Sequence, residues 1–270
     1  MQFTTLKVEL ENNIAVITLN RPEKANAMNE PMWQEVRQAM NWLDATPEAR
    51  VGVITGVGKF FTAGIDLSLL ASVSDKIEDE CDGRSREKLR RLILDLQDTL
   101  TSIERCRKPV LAAVNGVCVG AGIDLITACD MRYCSANASF SIKEIDVGMT
   151  ADVGTLQRLP RVINDGMARE LAYTGRNFDG QEAQQMQLVN RCYESPDALK
   201  DGVMEIARTI AAKSPLAIRG SKEMINYARD HSVADGLNYV ATWNAAMLMS
   251  NDLMEAGQAA MFKRPAVFKD

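Results

Sequence analysis

Pro109-Val-Leu-Ala-Ala-Val-Asn-Gly-Val-Cys-Val-Gly-Ala-Gly-Ile-Asp124 runs from an apolar stretch through a glycine-rich turn to a carboxylate. Residues 109–114 read as a buried strand, and the stretch from about residue 120 to Ala128 reads as a helix. Strand, tight turn and helix form the repeating unit of an α/β core with parallel pairing. The alternation continues on both sides. Upstream, residues 5–10 and 13–19 read as two strands around Glu11-Asn-Asn13, a hairpin signal. Asn29 caps a helix reaching about residue 45, with Pro31 tolerated in the first turn. Val51-Gly-Val-Ile-Thr55 is a short buried strand, and residues 56–66 form a glycine-containing loop. Residues 71–85 are polar and charged, which predicts a mobile loop. From Ser85 to Ile103, Leu89, Leu92, Ile93, Leu96, Leu100 and Ile103 recur at helical spacing.

Downstream, short strands are expected near residues 131–134 and 139–142. After about residue 195 strand signals end, and helices are expected at roughly 196–213, 215–229, 232–249 and 251–260. The expected organisation is an α/β core over residues 1–195 and a helical region over residues 196–270. That region carries Met224, Met247, Met249, Met254 and Met261, a packing surface for the core or for a neighbouring subunit.

The 270 residues allow one large domain, or one domain with a helical appendage. A net charge of -5 argues against non-specific nucleic-acid binding, which needs concentrated basic charge. The basic run Arg84, Arg86, Lys88, Arg90 and Arg91 reads as a solvated helix face. No apolar run reaches the length of a membrane span. Neither a secretory or transit pattern nor a terminal Ser-Lys-Leu is present, and from this a cytoplasmic location is expected. The six cysteines form no Cys-x-x-Cys pair, and one histidine supplies no imidazole cluster; both facts argue against a zinc site. The thiols are expected to be buried and reduced, and His231 to lie in a surface loop, which leaves no Ser-His-Asp triad.

Three acids follow the glycine-rich turn: Asp124, Glu144 in Lys143-Glu144, and Asp152 in Ala151-Asp-Val-Gly154. Their neighbours are mostly small or apolar, and carboxylates in such surroundings have raised or split pKa values. Taken singly, each has an ordinary reading: Asp124 as a helix cap or partner of Arg132, Glu144 and Asp146 as solvated loop charges. Two loops of similar construction share the region, Phe61-Thr-Ala-Gly-Ile-Asp66 and Val119-Gly-Ala-Gly-Ile-Asp124. Each puts small residues where a strand ends, which lets a ligand approach and leaves N–H groups free. Either loop alone would pass as a tight turn. Two such N–H groups converging on one carbonyl oxygen would stabilise an enolate, and an enolate has a use for two carboxylates, one removing a proton and one returning it. Leu125 stands where a dinucleotide fingerprint needs glycine, and no phosphate-binding Gly-Lys-Ser/Thr loop is present.

Four blocks, in order, resemble the enoyl-CoA hydratase/isomerase (crotonase) superfamily: residues 14–28, Phe61-Thr-Ala-Gly-Ile-Asp-Leu67, Lys108-Pro-Val-Leu-Ala-Ala-Val-Asn-Gly116 and Ala128-Cys-Asp-Met-Arg132. Within it, Asp124, Lys143-Glu-Ile-Asp-Val-Gly148 and Ala151-Asp-Val-Gly-Thr-Leu-Gln-Arg-Leu-Pro160 resemble the dienoyl-CoA isomerases. A hydratase would carry Glu where Asp124 stands and an uncharged residue where Asp152 stands. The resemblance implies a ββα spiral core with a C-terminal helical trimerisation region. It implies an isomerase that takes 3,5-dienoyl-CoA to 2,4-dienoyl-CoA in fatty-acid β-oxidation. Glu144 and Asp152 would be the acid–base pair, with Asp152 the base at C2, Glu144 the donor at C6 and Asp124 an accessory acid. The N–H groups of Ile65 and Ala121 would hold the thioester oxygen; the family usually has glycine where Ala121 stands, and a backbone donor survives that change. Lys24, Ala25, Ala27, Ala63, Gly64, Ile65, Asp66, Leu67 and Ala121 would meet the CoA moiety and substrate. No metal or separate cofactor is implied, and the partners are an acyl-CoA thioester and other copies of the chain, as a homotrimer or dimer of trimers. Two alternatives stand beside this: a 2-enoyl-CoA hydratase, and a non-catalytic acyl-CoA- or RNA-binding homologue.

Overall fold

The computed structural model describes residues 3–270. The chain starts with an antiparallel hairpin, β1 (Leu6–Glu11) and β2 (Ile14–Leu19), in register from Leu6↔Leu19 to Glu11↔Ile14. Asn12 and Asn13 supply the left-handed φ values of 51° and 64° that its two-residue turn requires. Helix α1 (Glu30–Ala45) follows, and the Asn29 side chain accepts the Met32 N–H at its start, as expected for that cap.

Three ββα turns come next. The first is β3 (Val51–Gly56) and β4 (Phe60–Thr62), followed by the helices α2 (Leu67–Ala71), α3 (Val73–Ile77) and α4 (Asp82–Arg105). The second is β5 (Val110–Val114), β6 (Val117–Val119) and α5 (Ala121–Ala128). The third is β7 (Met131–Ser135), β8 (Ser139–Ser141), α6 (Thr155–Arg158) and α7 (Asp165–Thr174). Then β9 (Phe178–Asp179), α8 (Gly180–Gln185) and β10 (Arg191–Tyr193) complete the sheets. The first strand of each turn joins a six-stranded sheet ordered β1-β2-β3-β5-β7-β10, and the second joins a four-stranded sheet ordered β4-β6-β8-β9. From β2 to β10 the larger sheet is parallel, as the strand–helix alternation predicts. Each turn steps one strand along both sheets, so the chain advances as a spiral.

The four-stranded sheet is built from segments of two or three residues, too short for a period-2 pattern to register, and only the segment near 139–142 was expected. Its packing is nonetheless firm: Phe61 and Phe140 are fully buried, and Phe140 stacks on Phe178 at 5.3 Å. The expected mobile loop over residues 71–85 is instead mostly helical, holding α3 and the start of α4. Its charges order it: Asp79 accepts the Cys81 N–H at 3.0 Å and pairs with Arg84 and Lys88, and Lys76 pairs with Glu30. The basic run of α4 is exposed, as its reading as a solvated face requires.

Helices α9 (Pro196–Ala211), α10 (Pro215–Ala228), α11 (Val233–Met247) and α12 (Asn251–Met261) finish the chain. The first packs on the larger sheet, where Leu199, Val203, Ala207 and Ala211 bury against Ile14, Val51, Val53, Leu111 and Tyr133. Helix α10 is pinned by Lys222, whose ammonium donates to the Ile103 and Lys108 carbonyls and to Asp130 (2.8 Å). By contrast, α11 buries no residue and α12 only Ala259. His231 is exposed between α10 and α11, stacked on Tyr227. All six cysteines are free; Cys106, Cys118, Cys129 and Cys134 are buried and Cys192 partly so, whereas Cys81 is exposed, because it sits before α4 where no core covers it.

Candidate active site

The turn that precedes α2 and the turn that precedes α5 meet. Met28 and Ile65 form a parallel bridge in which the Met28 N–H donates to the Gly64 carbonyl (2.8 Å) and the Asp66 N–H donates to the Met28 carbonyl (3.1 Å). In that pattern the N–H of Ile65 itself points away from Met28. Ala121 is the first residue of α5, so its N–H has no partner inside the helix. Neither N–H finds an acceptor among the described residues. Gly64 lies at φ 87°, and a Cβ placed on it would meet the Val119 carbonyl at 2.8 Å and the Ala121 nitrogen at 3.4 Å. Only glycine allows the two turns to approach this closely. The structure therefore brings together the two donors expected from the sequence, and Ala121 keeps its N–H despite its methyl group.

The acids gather beside them. A Cβ on Gly120 (φ 53°) would stand 3.4 Å from Glu144 Oε1, so the Glu144 carboxyl lies against the second turn. Asp124, one helical turn into α5, is completely buried. Its Oδ1 accepts the Thr155 N–H at 2.5 Å, and its Oδ2 has no partner. Asp124 thus caps α6 across space rather than its own helix. Nor does it pair with Arg132, which donates to the Cys129 and Leu188 carbonyls, both at 2.8 Å. Glu144 Oε2 is likewise buried and unpartnered, whereas Asp146 is exposed and paired with Lys143 at 2.9 Å.

Burial dominates the electrostatics. It pushes Asp124 up to about 7; hydrogen bonding from Thr155 opposes this, and the charges of Glu144 and Asp152 add to it. Glu144 is raised first by burial and further by the charge of Asp152. Burial also raises Asp152. The three carboxyls therefore feel one another, and all three are displaced toward the range where a carboxyl serves as acid and base near neutral pH.

The residues expected around CoA also come together. Lys24 is exposed at the end of a short helical turn, and Ala25 follows at φ 51°. The Ala63 N–H donates to the Ala25 carbonyl at 3.0 Å, and Arg21 reaches the Ala27 carbonyl and Asp66 (2.8 Å). Leu67 is 71% exposed. Asp66 is occupied: Ser68, then Arg21, hold its carboxylate down at about 2. It offers a ligand its backbone rather than its charge. Sequence reasoning missed Asn26, which is completely buried and whose side chain ties Arg21, Val57 and Phe60 into one support for both segments. It also missed Thr155, whose role is carried by a backbone N–H and leaves no side-chain signature.

The class follows from this architecture. Repeated ββα turns feeding two sheets, with free N–H groups at the turns, are the crotonase fold. The crystal structure of enoyl-CoA hydratase from Bacillus anthracis matches it with a TM-score of 0.89 at 30% identity, over 98% of this chain and 99% of that one. Residues 9–270 match the model of the family described as enoyl-CoA hydratase/isomerase, and the chain belongs to that family.

Among its relatives, the Delta(3,5)-Delta(2,4)-dienoyl-CoA isomerase, peroxisomal, of Arabidopsis thaliana is 47% identical over 264 residues, which is 97% of this chain and 95% of the relative. The Delta(3,5)-Delta(2,4)-dienoyl-CoA isomerase, mitochondrial, of Homo sapiens is 46% identical over 252 residues, 92% of this chain and 76% of the relative. Those names overturn the expectation of a cytoplasmic location. It rested on missing targeting patterns, and such an absence carries no physical information about where a folded chain resides.

Proposed function

We propose that this protein is a dienoyl-CoA isomerase that moves the double bonds of a 3,5-dienoyl-CoA to the 2,4 positions in fatty-acid β-oxidation. The observation that carries the reading is the meeting of three buried or half-buried carboxyls with two free N–H groups at the joined turns. Relatives that bear the isomerase name match at 46% and 47% identity, against 30% for the hydratase structure.

In this reading Asp152 enters ionised and Glu144 protonated, the order favoured by the charge of Asp152 beside Glu144. Asp152 removes a proton from C2. The released electron pair passes onto the thioester oxygen, which the Ile65 and Ala121 N–H groups hold as an enolate. As the carbonyl re-forms, electrons shift along the conjugated chain and Glu144 delivers a proton to C6. The C3=C4 and C5=C6 bonds become C2=C3 and C4=C5; Asp152 ends protonated, Glu144 ends ionised, and exchange with solvent restores both. Asp124 is an accessory acid that keeps a proton in reserve near neutral pH. The thioester supplies the acidity of C2, so no metal or separate cofactor takes part. Lys24, Ala25, Ala27 and the Ala63–Leu67 segment line the approach of the CoA moiety.

On the same reading, residues 196–270 assemble the chain as a homotrimer or a dimer of trimers. What supports this is the row of exposed apolar residues on the last helices, among them Val233, Leu237, Leu253, Met254 and Met261.

The experiment is an absorbance assay of the purified protein with a 3,5-dienoyl-CoA, run beside a 2-enoyl-CoA. Growth of the conjugated 2,4-dienoyl band without hydration of the enoyl substrate is expected. Hydration alone would transfer the chemistry to Asp124 and Glu144 as a hydratase pair.

A further inference from the structure

The segment that carries Asp152 is gripped from two sides. On one side Asp124 of α5 accepts the Thr155 N–H. On the other, the Gln97 side chain of α4 donates to the main-chain carbonyl of Asp152 at 2.6 Å. Gln97 is not alone in facing this segment. Thr101 and Glu104 follow it at helical spacing (i+4, i+7) on the same face of α4. Arg158, at the end of α6, donates to Thr101 (3.2 Å) and pairs with Glu104 (3.0 Å). Three successive polar side chains of one helix thus hold residues 152–158 along their length. Gln97 is the one whose bond falls on the acid itself.

The space behind explains why that bond matters. A cavity of ≈ 950 Å³ lies between α4, the end of α5, residues 153–162 and α10, with Gln97, Val153 and Gly154 in its wall. The side chains of Ala151 and Val153 are buried in the core, but toward the cavity the segment is backed by polar groups, with the Arg158 guanidinium against Gly154. Without the amide, the Asp152 carbonyl loses its side-chain donor beside a cavity that water can enter, and the peptide is free to turn toward it.

We propose that Gln97 is a positioning residue for the isomerisation, fixing the peptide of Asp152 so that its carboxylate faces C2 of the bound acyl chain. The inference rests on the assignment of Asp152 as the base. Gln97 touches no reacting atom; it acts through the Asp152 backbone. Loss of its bond lowers the rate of the proton transfer while leaving CoA binding alone, because the residues that hold CoA lie on the other turns. A carboxylate freed from its half-buried position also meets more water, so its proton affinity falls toward that of an ordinary aspartate.

The test is Gln97→Met, which keeps the unbranched chain and removes the donor, together with Asp152→Asn and the double variant. For Gln97→Met, kcat should fall by about tenfold to a hundredfold, as expected for a misplaced catalytic group, with KM unchanged. The acidic limb of its kcat/KM profile should move to lower pH. In the Asp152→Asn background the same change should have no further effect on the residual rate, since the group it positions is gone. An unchanged kcat and acidic limb in Gln97→Met, with Asp152→Asn inactive, would overturn the role of Gln97 and leave Asp152 as the base. A fully active Asp152→Asn would overturn both. A rate loss of equal size in the presence and absence of the Asp152 carboxylate would reduce Gln97 to a structural support and also overturn the proposal.

Discussion

Asp124 has an unpartnered oxygen sealed from solvent, and its charged form is therefore costly in the folded chain. The sign of the consequence is fixed. Its pKa rises from 3.8 to about 7 on folding, so its neutral form is the one that folds without penalty. Stability is full below pH 3.8 and is lost as pH climbs through about 7, by an amount on the order of 4 kcal/mol at most. Asp124→Asn keeps an oxygen for the Thr155 N–H and carries no charge. Its melting temperature should therefore fall less than that of the parent between pH 5 and pH 8.5, and parallel curves would refute the burial argument. Glu144 and Asp152 are raised together and sense each other, so their titration belongs to the pair. The rate should be bell-shaped in pH: low where Asp152 is protonated, low again where Glu144 has lost its proton. At this scale much was legible, because an acid between alanine and valine announces its surroundings. The commitment of Asp66 to Arg21 and Ser68 was not, since Arg21 lies 45 residues away in the chain.

The elements that were easy to read are those whose own side chains decide them. Helix α1 has its Asn29 cap, β2 and β3 are rich in buried valine and isoleucine, and α4 has its row of leucines and isoleucines. The elements that escaped are decided by partners. β4 and β6 are three residues each and exist because they pair with each other and β6 pairs with β8, and α3 exists because charges from Glu30 and Asp79 steady its neighbourhood. Helix α10 was legible in its own pattern, but its seat on the core is decided by partners. Its anchor, Lys222, is buried, and all three of its N–H groups are used. Lys222→Met should leave two carbonyls and Asp130 short of a donor and lower the stability to denaturant by about 3 kcal/mol. A change of less than about 0.5 kcal/mol, the usual range for a surface site, would show that the ammonium is not an anchor.

For the whole molecule, the spiral explains why the site forms where it does. Each ββα turn ends one strand at the same edge, so Gly64 and Gly120, 56 residues apart, arrive side by side with Ile65 and Ala121 next to them. The α/β class and the helical tail could be read from pattern alone; the spiral itself needed the resemblance, because periodicity reports elements and not how sheets share them. Helices α11 and α12 leave apolar residues uncovered; under the proposed homotrimer or dimer of trimers, Leu253→Glu with Met254→Glu should give monomers in sedimentation or light scattering where the parent is assembled, while the far-ultraviolet dichroism stays unchanged. If those variants remained assembled, the interface would lie elsewhere. The claim on which the rest depends is that one carboxyl takes a proton from C2 and another returns a proton to C6. The most direct test is to convert a 3,5-dienoyl-CoA in deuterium oxide and locate the label in the product by nuclear magnetic resonance. With Asp152 and Glu144 acting as assigned, deuterium appears at C6 of the 2,4-dienoyl product, and its appearance slows sharply in Glu144→Gln. A product labelled elsewhere with C6 unlabelled, or one carrying a hydroxyl at C3, would contradict the two-carboxyl transfer.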